Sequence, residues 1–390
     1  MVSQPWNLHL AKPGRENLQE LVQSIKKALA GGQPLMLAPA GGPANDIYLS
    51  ALQIEKSPIY ENTALAICTS GSTGAPKAVE ISQGALIKNH ELVNKKLAGK
   101  ANWVLAMNPA FIGGFSLLTR GVIDEGWTYA LTETGKFNAD TFAKVSLMAA
   151  EKNPTIRTSL VWAQLMQLVN SDKLETLKMY DAILVGGSNV ESQIFEDLKQ
   201  AGLKLISTYG MTETCGGVVW DGFALDEVEI RILEKDDLGT GRISIKSPTN
   251  ASGYRNSPEL NQETFQDSWI NTQDLGQLNS ETLTVIGRID DVVISGGTNV
   301  STKAIEAVIS TCRGVEEVAV LALDDEVWGA LITAVVVGDF DKKEIEQKVV
   351  STLGNAAKPR VIFDALNMPF LPSGKIDLVK LKELVLNESN

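Results

Sequence analysis

Between about residues 64 and 206, short apolar runs alternate with stretches whose apolar residues recur at helical spacing. Ala64 to Cys68, Trp103 to Met107, Ala182 to Val185 and Lys204 to Ile206 read as buried strands, each bounded by turn-forming residues or a helical pattern. Leu86, Asn89/His90, Val93 and Leu97 share a helical period, as do Leu165, Leu168 and Val169. Alternating strands and helices bury their apolar faces by packing helices over a parallel sheet, so an α/β fold is expected here.

After about residue 225 the pattern becomes that of short alternating strands, Val228 to Ile232 and Arg242 to Lys246, which predict an antiparallel, barrel-like subdomain. From about Asp290 a helix at Thr302 to Thr311, strands at Glu317 to Leu323 and Leu331 to Val337, and a helix carrying Ile345, Val349 and Leu353 would supply a separate small core. A terminal helix is expected over Asp377 to Leu386. The expected organisation is a large N-terminal domain over residues 1–288 and a small α+β domain over 289–390, divided near Arg288 to Asp291. The apolar strands of the small domain are read as core, and a homodimer is compatible with the sequence.

The 390-residue chain has 44% hydrophobic and 21% charged residues, the balance of a folded globular protein. Its formal charge of −12 opposes binding to nucleic-acid phosphates or anionic lipid, so neither partner is expected. Cys68, Cys215 and Cys312 are odd in number and widely spaced, which fits a reducing cytoplasm better than a disulfide framework or a zinc site. The N-terminal residues lack the apolar run of a signal peptide, and no stretch reaches the roughly 18 apolar residues of a membrane helix. With only His9 and His90 present, chemistry that needs several histidines has almost no material.

The segment Thr69-Ser70-Gly71-Ser72-Thr73-Gly74-Ala75-Pro76-Lys77 directly follows a predicted strand. Its hydroxyls, its glycine backbone and Lys77 could wrap a polyphosphate; read alone, it could equally be a surface turn. The spacing is not that of a P-loop, since Lys77 lies three residues past Gly74 and is followed by Ala78. Further along the chain come Tyr209-Gly210-Met211-Thr212-Glu213-Thr214, then Trp269 to Gly276 with Asp274 inside it. Gly287-Arg288-Ile289-Asp290-Asp291 and Ser373-Gly374-Lys375 complete the series.

With these five motifs in order, residues from about 60 to 380 resemble the acyl-adenylate-forming superfamily of acyl-CoA synthetases, adenylation domains and luciferases. The resemblance implies a large adenylate-forming domain and a small mobile C-terminal lid. It also implies a reaction in which a carboxylate and ATP give an acyl-adenylate and pyrophosphate, after which the acyl group passes to a thiol such as CoA. Such steps depend on positioning and charge stabilisation.

By matching position, Thr69 to Lys77 would hold the β- and γ-phosphates, and Gly186-Gly187-Ser188 would pack against adenine. Tyr209, in the Gly210-Met211 motif, would stack on the base, Thr212 would contact the α-phosphate, and Glu213 would bind Mg2+. Asp274 would accept the ribose hydroxyls with Arg288 nearby, Lys375 would bridge the attacking carboxylate and the α-phosphate, and Asp290 would be the hinge. Cys215 has no evident basic partner and is read as a lining residue rather than a nucleophile.

Within the superfamily, the short N-terminal portion and the Thr158-Ser159-Leu160-Val161 segment followed by Gln164-Leu165 resemble bacterial o-succinylbenzoate–CoA ligases of menaquinone biosynthesis. Phe111-Ile112-Gly113-Gly114 through Arg120 matches their acyl-pocket stretch, making Phe111, Gly113, Arg120, Ser159, Gln164 and Gly186 the expected acyl-site residues. o-Succinylbenzoate carries two carboxylates, and the one not activated needs a cation or several donors if it is buried. Arg120 fits that role, and a structural ion pair is the other reading. The chain departs from the pattern at Phe111, where those ligases often have His, and at Trp162, which replaces a proline. Asp377-Leu378 also lacks the arginine that commonly follows the lysine motif. The alternatives are a ligase for another aromatic or short acid, an adenylation module charging a carrier-protein thiol, and a non-catalytic nucleotide binder.

Overall fold

The computed structural model describes residues 6–12, 14–40, 44–58, 60–69, 76–126, 128–130, 137–187, 192–237, 239–255, 257–295, 298–325, 328–370 and 376–388. Three sheets organise them. The first joins strands Asn7–Ala11, Leu35–Pro39, Thr63–Cys68, Ala78–Ser82 and Gly253–Tyr254 in that order. All five residues of Leu35–Pro39 are buried, as expected of a central strand covered on both faces.

The second sheet has twelve strands. One half is parallel: Thr128–Ala130, Asn102–Leu105, Ile156–Val161, Ala182–Gly186 and Leu205–Met211 lie side by side. Alternation of side chains across this half sends Trp103 and Leu105 toward helix Ile112–Ile123 and Val104 toward helix Ala139–Lys152, so both faces are covered. Helix Gln83–Lys96 starts where Ser82 accepts a bond from the Ala85 amide at 3.1 Å and ends with Lys95 and Lys96 in its last turn. This helix and Ile112–Ile123 share one core with both the first and second sheets. Every residue from Gly114 to Gly121 is therefore buried, as in a helix enclosed all round.

The other half is antiparallel, and here the structure corrects the expected barrel-like unit. Strands Glu229–Leu233 and Gly241–Lys246 do pair antiparallel, but they continue the same open sheet through Trp269–Asn279, Thr282–Arg288 and Gly216–Trp220. The change of direction occurs at Leu205–Met211, which has the parallel Ala182–Gly186 on one side and the antiparallel Gly216–Trp220 on the other. A tight turn, Thr212–Thr214, makes this reversal. Cys215 takes a left-handed φ of 59°, and a Cβ on Gly210 would lie 2.0 Å from the Gly216 carbonyl oxygen, so only glycine permits so close a crossing.

The third sheet orders Thr298–Ser301, Val292–Ser295, Gly329–Gly338 and Val315–Asp325, with Val361–Asp364 beside Gly329–Gly338. Val320, Ile332, Ala334 and Val336 face helices Thr302–Ser310 and Lys342–Leu353, while Ala319, Leu321, Leu323 and Val335 face helix Leu378–Glu388. Cover on both faces explains why these strands read as nearly unbroken apolar runs. Among the described residues no helix is long and apolar enough to cross a membrane.

Candidate active site

The motif at the sheet reversal is held by its own neighbours. Thr214 Oγ1 accepts from the Met211 amide at 2.9 Å and donates to the Gly216 carbonyl at 2.8 Å, while Thr249 donates to the Thr214 carbonyl at 2.9 Å. The Glu213 carbonyl accepts from the Ala251 amide at 2.7 Å, and its carboxylate accepts from the Tyr254 hydroxyl at 2.6 Å. Burial and then the Glu213 charge push the Tyr254 hydroxyl above the usual tyrosine range, so it remains a donor. Lys77 Nζ lies 5.5 Å from the centre of the Tyr254 ring, bringing the end of the phosphate-loop motif beside the Glu213 turn.

Antiparallel register places Asp274 opposite Arg288. Asp274 accepts from the Tyr209 hydroxyl at 2.7 Å and from Arg288 Nη1 at 3.3 Å, so two side chains from separate strands converge on one carboxylate. Burial and the adjacent Asp274 hold the Tyr209 hydroxyl well above its normal range, which keeps it neutral and donating. Thr69 pairs with Lys77, donating its amide to the Lys77 carbonyl at 2.8 Å and accepting at Oγ1 from the Lys77 amide at 3.3 Å. Ser70, Gly71, Ser72, Thr73, Gly74, Ser188 and Lys375 lie outside the described residues. Gly187 takes a φ of 84°, and Asp290 belongs to the short turn Ile289–Asp291.

A second group forms a cavity at the sheet reversal, with Gly113, Ser116, Arg120, Ser159, Gly216 and Trp220 among its walls. Arg120 is only 5% exposed on the fully enclosed helix. Its guanidinium stacks 4.9 Å from the Trp103 ring centre and donates to Asn89 Oδ1 at 3.3 Å, yet among the described residues it forms no ion pair. Asp124, one turn along, is engaged by His90 and Asn94, each at 3.1 Å. Burial lowers the Arg120 pKa to about 10, against the pull of Cys215 and Asp124, and the side chain stays charged at neutral pH. A buried cation without a carboxylate partner is costly unless something else supplies the negative charge.

Residues 9–255 match the AMP-binding enzyme family, and residues 304–375 match the AMP-binding enzyme C-terminal domain. The chain belongs to the AMP-binding enzyme family. A probable 2-succinylbenzoate–CoA ligase of Mycobacterium tuberculosis is 32% identical over 95% of this chain and 96% of the relative. A 2-succinylbenzoate–CoA ligase of Listeria monocytogenes is 31% identical over 82% and 70%. In structure, the o-succinylbenzoate CoA synthetase of Bacillus subtilis in complex with its acyl-adenylate intermediate superposes with a TM-score of 0.77 at 23% identity. That superposition covers 97% of this chain and 88% of the other.

In this AMP-binding enzyme the structure brings together Tyr209, Asp274 and Arg288 in one cluster, Lys77 and Glu213 around Tyr254 in another, and Gly113, Ser159 and Arg120 around the cavity. Two expected acyl-site residues stand elsewhere. Phe111 packs edge-on against Tyr48 at 5.9 Å, since an aromatic ring at the start of an enclosed helix buries against apolar neighbours, and it is not among the cavity's walls. Gln164 is bonded to the main chain at both amide atoms: its Oε1 accepts from the Val161 amide at 3.1 Å and its Nε2 donates to the Ala106 carbonyl at 2.9 Å. Gly186 is a packing position, because a Cβ there would lie 2.6 Å from Thr208 Oγ1, and Thr208 does line the cavity. Cys215 is buried, and its thiol pKa is pushed up to about 12, so it carries no reactive thiolate at neutral pH.

Tyr254, Asn89 and the Glu80–Arg255 pair were not singled out as functional from the sequence. Asn89 left a trace, a polar residue beside His90 on the face that carries Leu86 and Val93. Tyr254 and Arg255 left none, because their partners lie 41 and 175 residues away in the chain.

Proposed function

We propose that this chain is an AMP-forming o-succinylbenzoate–CoA ligase of the cytoplasm. The observation that carries the reading is Arg120, a buried guanidinium that forms no ion pair among the described residues, at the wall of a cavity beside the Glu213 turn. An acyl acid with a second carboxylate supplies the missing charge and gains a charge-assisted, bidentate contact. A relative named indoleacetate–CoA ligase is 29% identical over 84% of this chain, but indoleacetate has no second carboxylate to meet such a residue.

In this reading Asp274 accepts the ribose hydroxyls with lone pairs that Tyr209 and Arg288 leave free, since each carboxylate oxygen can accept two bonds. Thr69 to Lys77 and Thr212 hold the phosphates, Gly187 and Ser188 border the base, and Lys375 bridges the attacking carboxylate and the α-phosphate. The donor set suits Mg2+, which takes one or two carboxylates and completes its shell with phosphate and water oxygens. Glu213 is that carboxylate, steadied by Tyr254. Mg2+ bound there would neutralise charge on the phosphates. The protein's own part is to align the acid with the α-phosphate and fix donors where charge develops. We place the domain boundary between residues 288 and 289 and the hinge at Asp290, with CoA as the acceptor thiol.

The test is pyrophosphate release and CoA consumption with ATP, Mg2+ and o-succinylbenzoate, beside indoleacetate, benzoate and short fatty acids. Turnover dependent on o-succinylbenzoate is expected. Equal or better turnover with an acid lacking the second carboxylate would remove the assignment.

A further inference from the structure

Asn89 lies on helix Gln83–Lys96, is 3% exposed, and is used on one side only. Arg120 can only donate, so the atom of Asn89 that faces Arg120 Nη2 at 3.3 Å must be the carbonyl oxygen, and this fixes the orientation of the amide. The amide nitrogen then points the other way. Nδ2 is fully buried and has no hydrogen-bond partner among the described residues. It faces the space over Gly216, where a Cβ would come within 4.0 Å of Nδ2 and 3.6 Å of Ser116 Oγ, and both Gly216 and Ser116 line the cavity. Gly216 has a φ of 112°, so glycine is required there and the space is left without a side chain.

A buried amide donor normally finds a partner, and an unmet one needs an explanation. Arg120 Nε is also buried without a partner among the described residues. The two orphaned donors belong to side chains that already touch each other. The hydroxyl of Ser116 donates to the Ile112 carbonyl at 2.7 Å, and neither of the two donors is hydrogen-bonded to its oxygen.

We infer that Asn89 is a specificity-determining residue: its Oδ1 steers the Arg120 guanidinium, and its Nδ2 donates to the carboxylate of the acyl substrate that is not activated. Asn89 and Arg120 together form a two-pronged clamp for that anionic group. This rests on the proposed ligase reading for the identity of the acid, while the clamp itself asks only for an acid with a second carboxylate. An acid lacking that group leaves a cation and an amide donor buried and unmet, which is a strong basis for rejecting it.

The experiment compares kcat/KM for matched acids with and without the second carboxylate. The pairs are o-succinylbenzoate against 4-oxo-4-phenylbutanoate, phthalate against benzoate, and succinate against butyrate. Wild-type protein is measured beside Asn89→Leu, which removes both polar atoms, and Asn89→Asp, which keeps the size but replaces the donor with a like charge. Discrimination by the wild type for o-succinylbenzoate over its partner is expected, with a loss of about 10- to 100-fold in that ratio in Asn89→Leu. The loss in Asn89→Asp should be at least as large. A merely structural role would depress both members of a pair together and leave the ratio unmoved, and that result overturns the clamp without touching the ligase reading. If the wild type discriminates only in another pair, and the variants erase it, the clamp stands and o-succinylbenzoate is retired as the substrate. No discrimination by the wild type in any pair overturns both. Should Asn89→Leu fail to fold, the near-isosteric Asn89→Asp decides alone.

Discussion

Tyr254 donates its hydroxyl hydrogen to Glu213 over 2.6 Å, joining a short strand of the first sheet to the reversal turn of the second. The Tyr254 ring is held edge-on against Phe265 at 5.3 Å, so losing the hydroxyl need not move the ring. Tyr254→Phe should therefore fold normally while leaving the Glu213 carboxylate less well aimed. A drop of about tenfold in kcat/KM for ATP is expected, together with a higher Mg2+ requirement. Mg2+ titrations at fixed ATP check this, and an unchanged half-saturating Mg2+ concentration would detach Tyr254 from the site.

Arg120 makes opposite demands on activity and stability. Arg120→Met should cut turnover of o-succinylbenzoate by about 100-fold or more, since truncating one partner of a buried charged contact is expensive. The same change removes a buried cation that forms no ion pair among the described residues, and the folded protein should gain on the order of 1 kcal/mol. Activity assays and urea denaturation of the apoprotein test the two halves separately. A variant both inactive and strongly destabilised would point to a structural role instead.

Glu80 and Arg255 form an ion pair with both side chains fully buried. Arg255 also donates to the carbonyls of Leu52, Gln53 and Lys56 and lies 4.7 Å from the Trp6 ring centre, so this one side chain ties together the first sheet and the loop after helix Ala44–Leu52. Glu80→Ala leaves that cation without its carboxylate and should cost about 3–5 kcal/mol. Equilibrium denaturation reads this directly; a loss below about 1 kcal/mol would mean that the carbonyl cage alone suffices.

Both histidines should make the protein sensitive to mild acid. Burial lowers the pKa of His9, with Asn17 opposing, and burial lowers that of His90 against the pull of Asp124, with Arg120 and Lys100 adding to the lowering. Each is depressed below its unfolded value of 6.5, so the unfolded chain takes up protons that the native protein does not. Stability is thus fully present above about pH 6.5 and declines as pH falls below it, by at most about 1.4 kcal/mol per pH unit for each histidine. Urea midpoints at pH 7.5, 6.5 and 5.5 should show the decline, and His9→Gln and His90→Gln should flatten it. Equal midpoints at all three values would contradict it.

The motif-bearing parts of this molecule could be read in advance because each is a contiguous run whose chemistry survives without its neighbours. Asp274 and Arg288 sit in separate motifs, and strand register does the rest. Partners far apart in the chain behave differently: nothing around Tyr254 hints at Glu213, and nothing around Arg255 hints at Glu80. Phe111 and Gln164 show what a matched position leaves out. Both occupy positions that matched an acyl pocket, but one was drawn into apolar packing and the other into capping a helix. The barrel-like expectation failed because alternation along a strand reports which faces are covered and not whether a sheet closes.

The last helix, Leu378–Glu388, begins after residue 375, where the match to the C-terminal family domain stops. It is nonetheless the cover over Ala319, Leu321, Leu323 and Val335. Trimming the protein at the end of the recognised domain would spare every residue assigned here to chemistry and still strip one face of the small sheet to water. Bare apolar strand surface of that kind invites self-association. Any shortened version made for crystallisation or display should therefore keep these final turns.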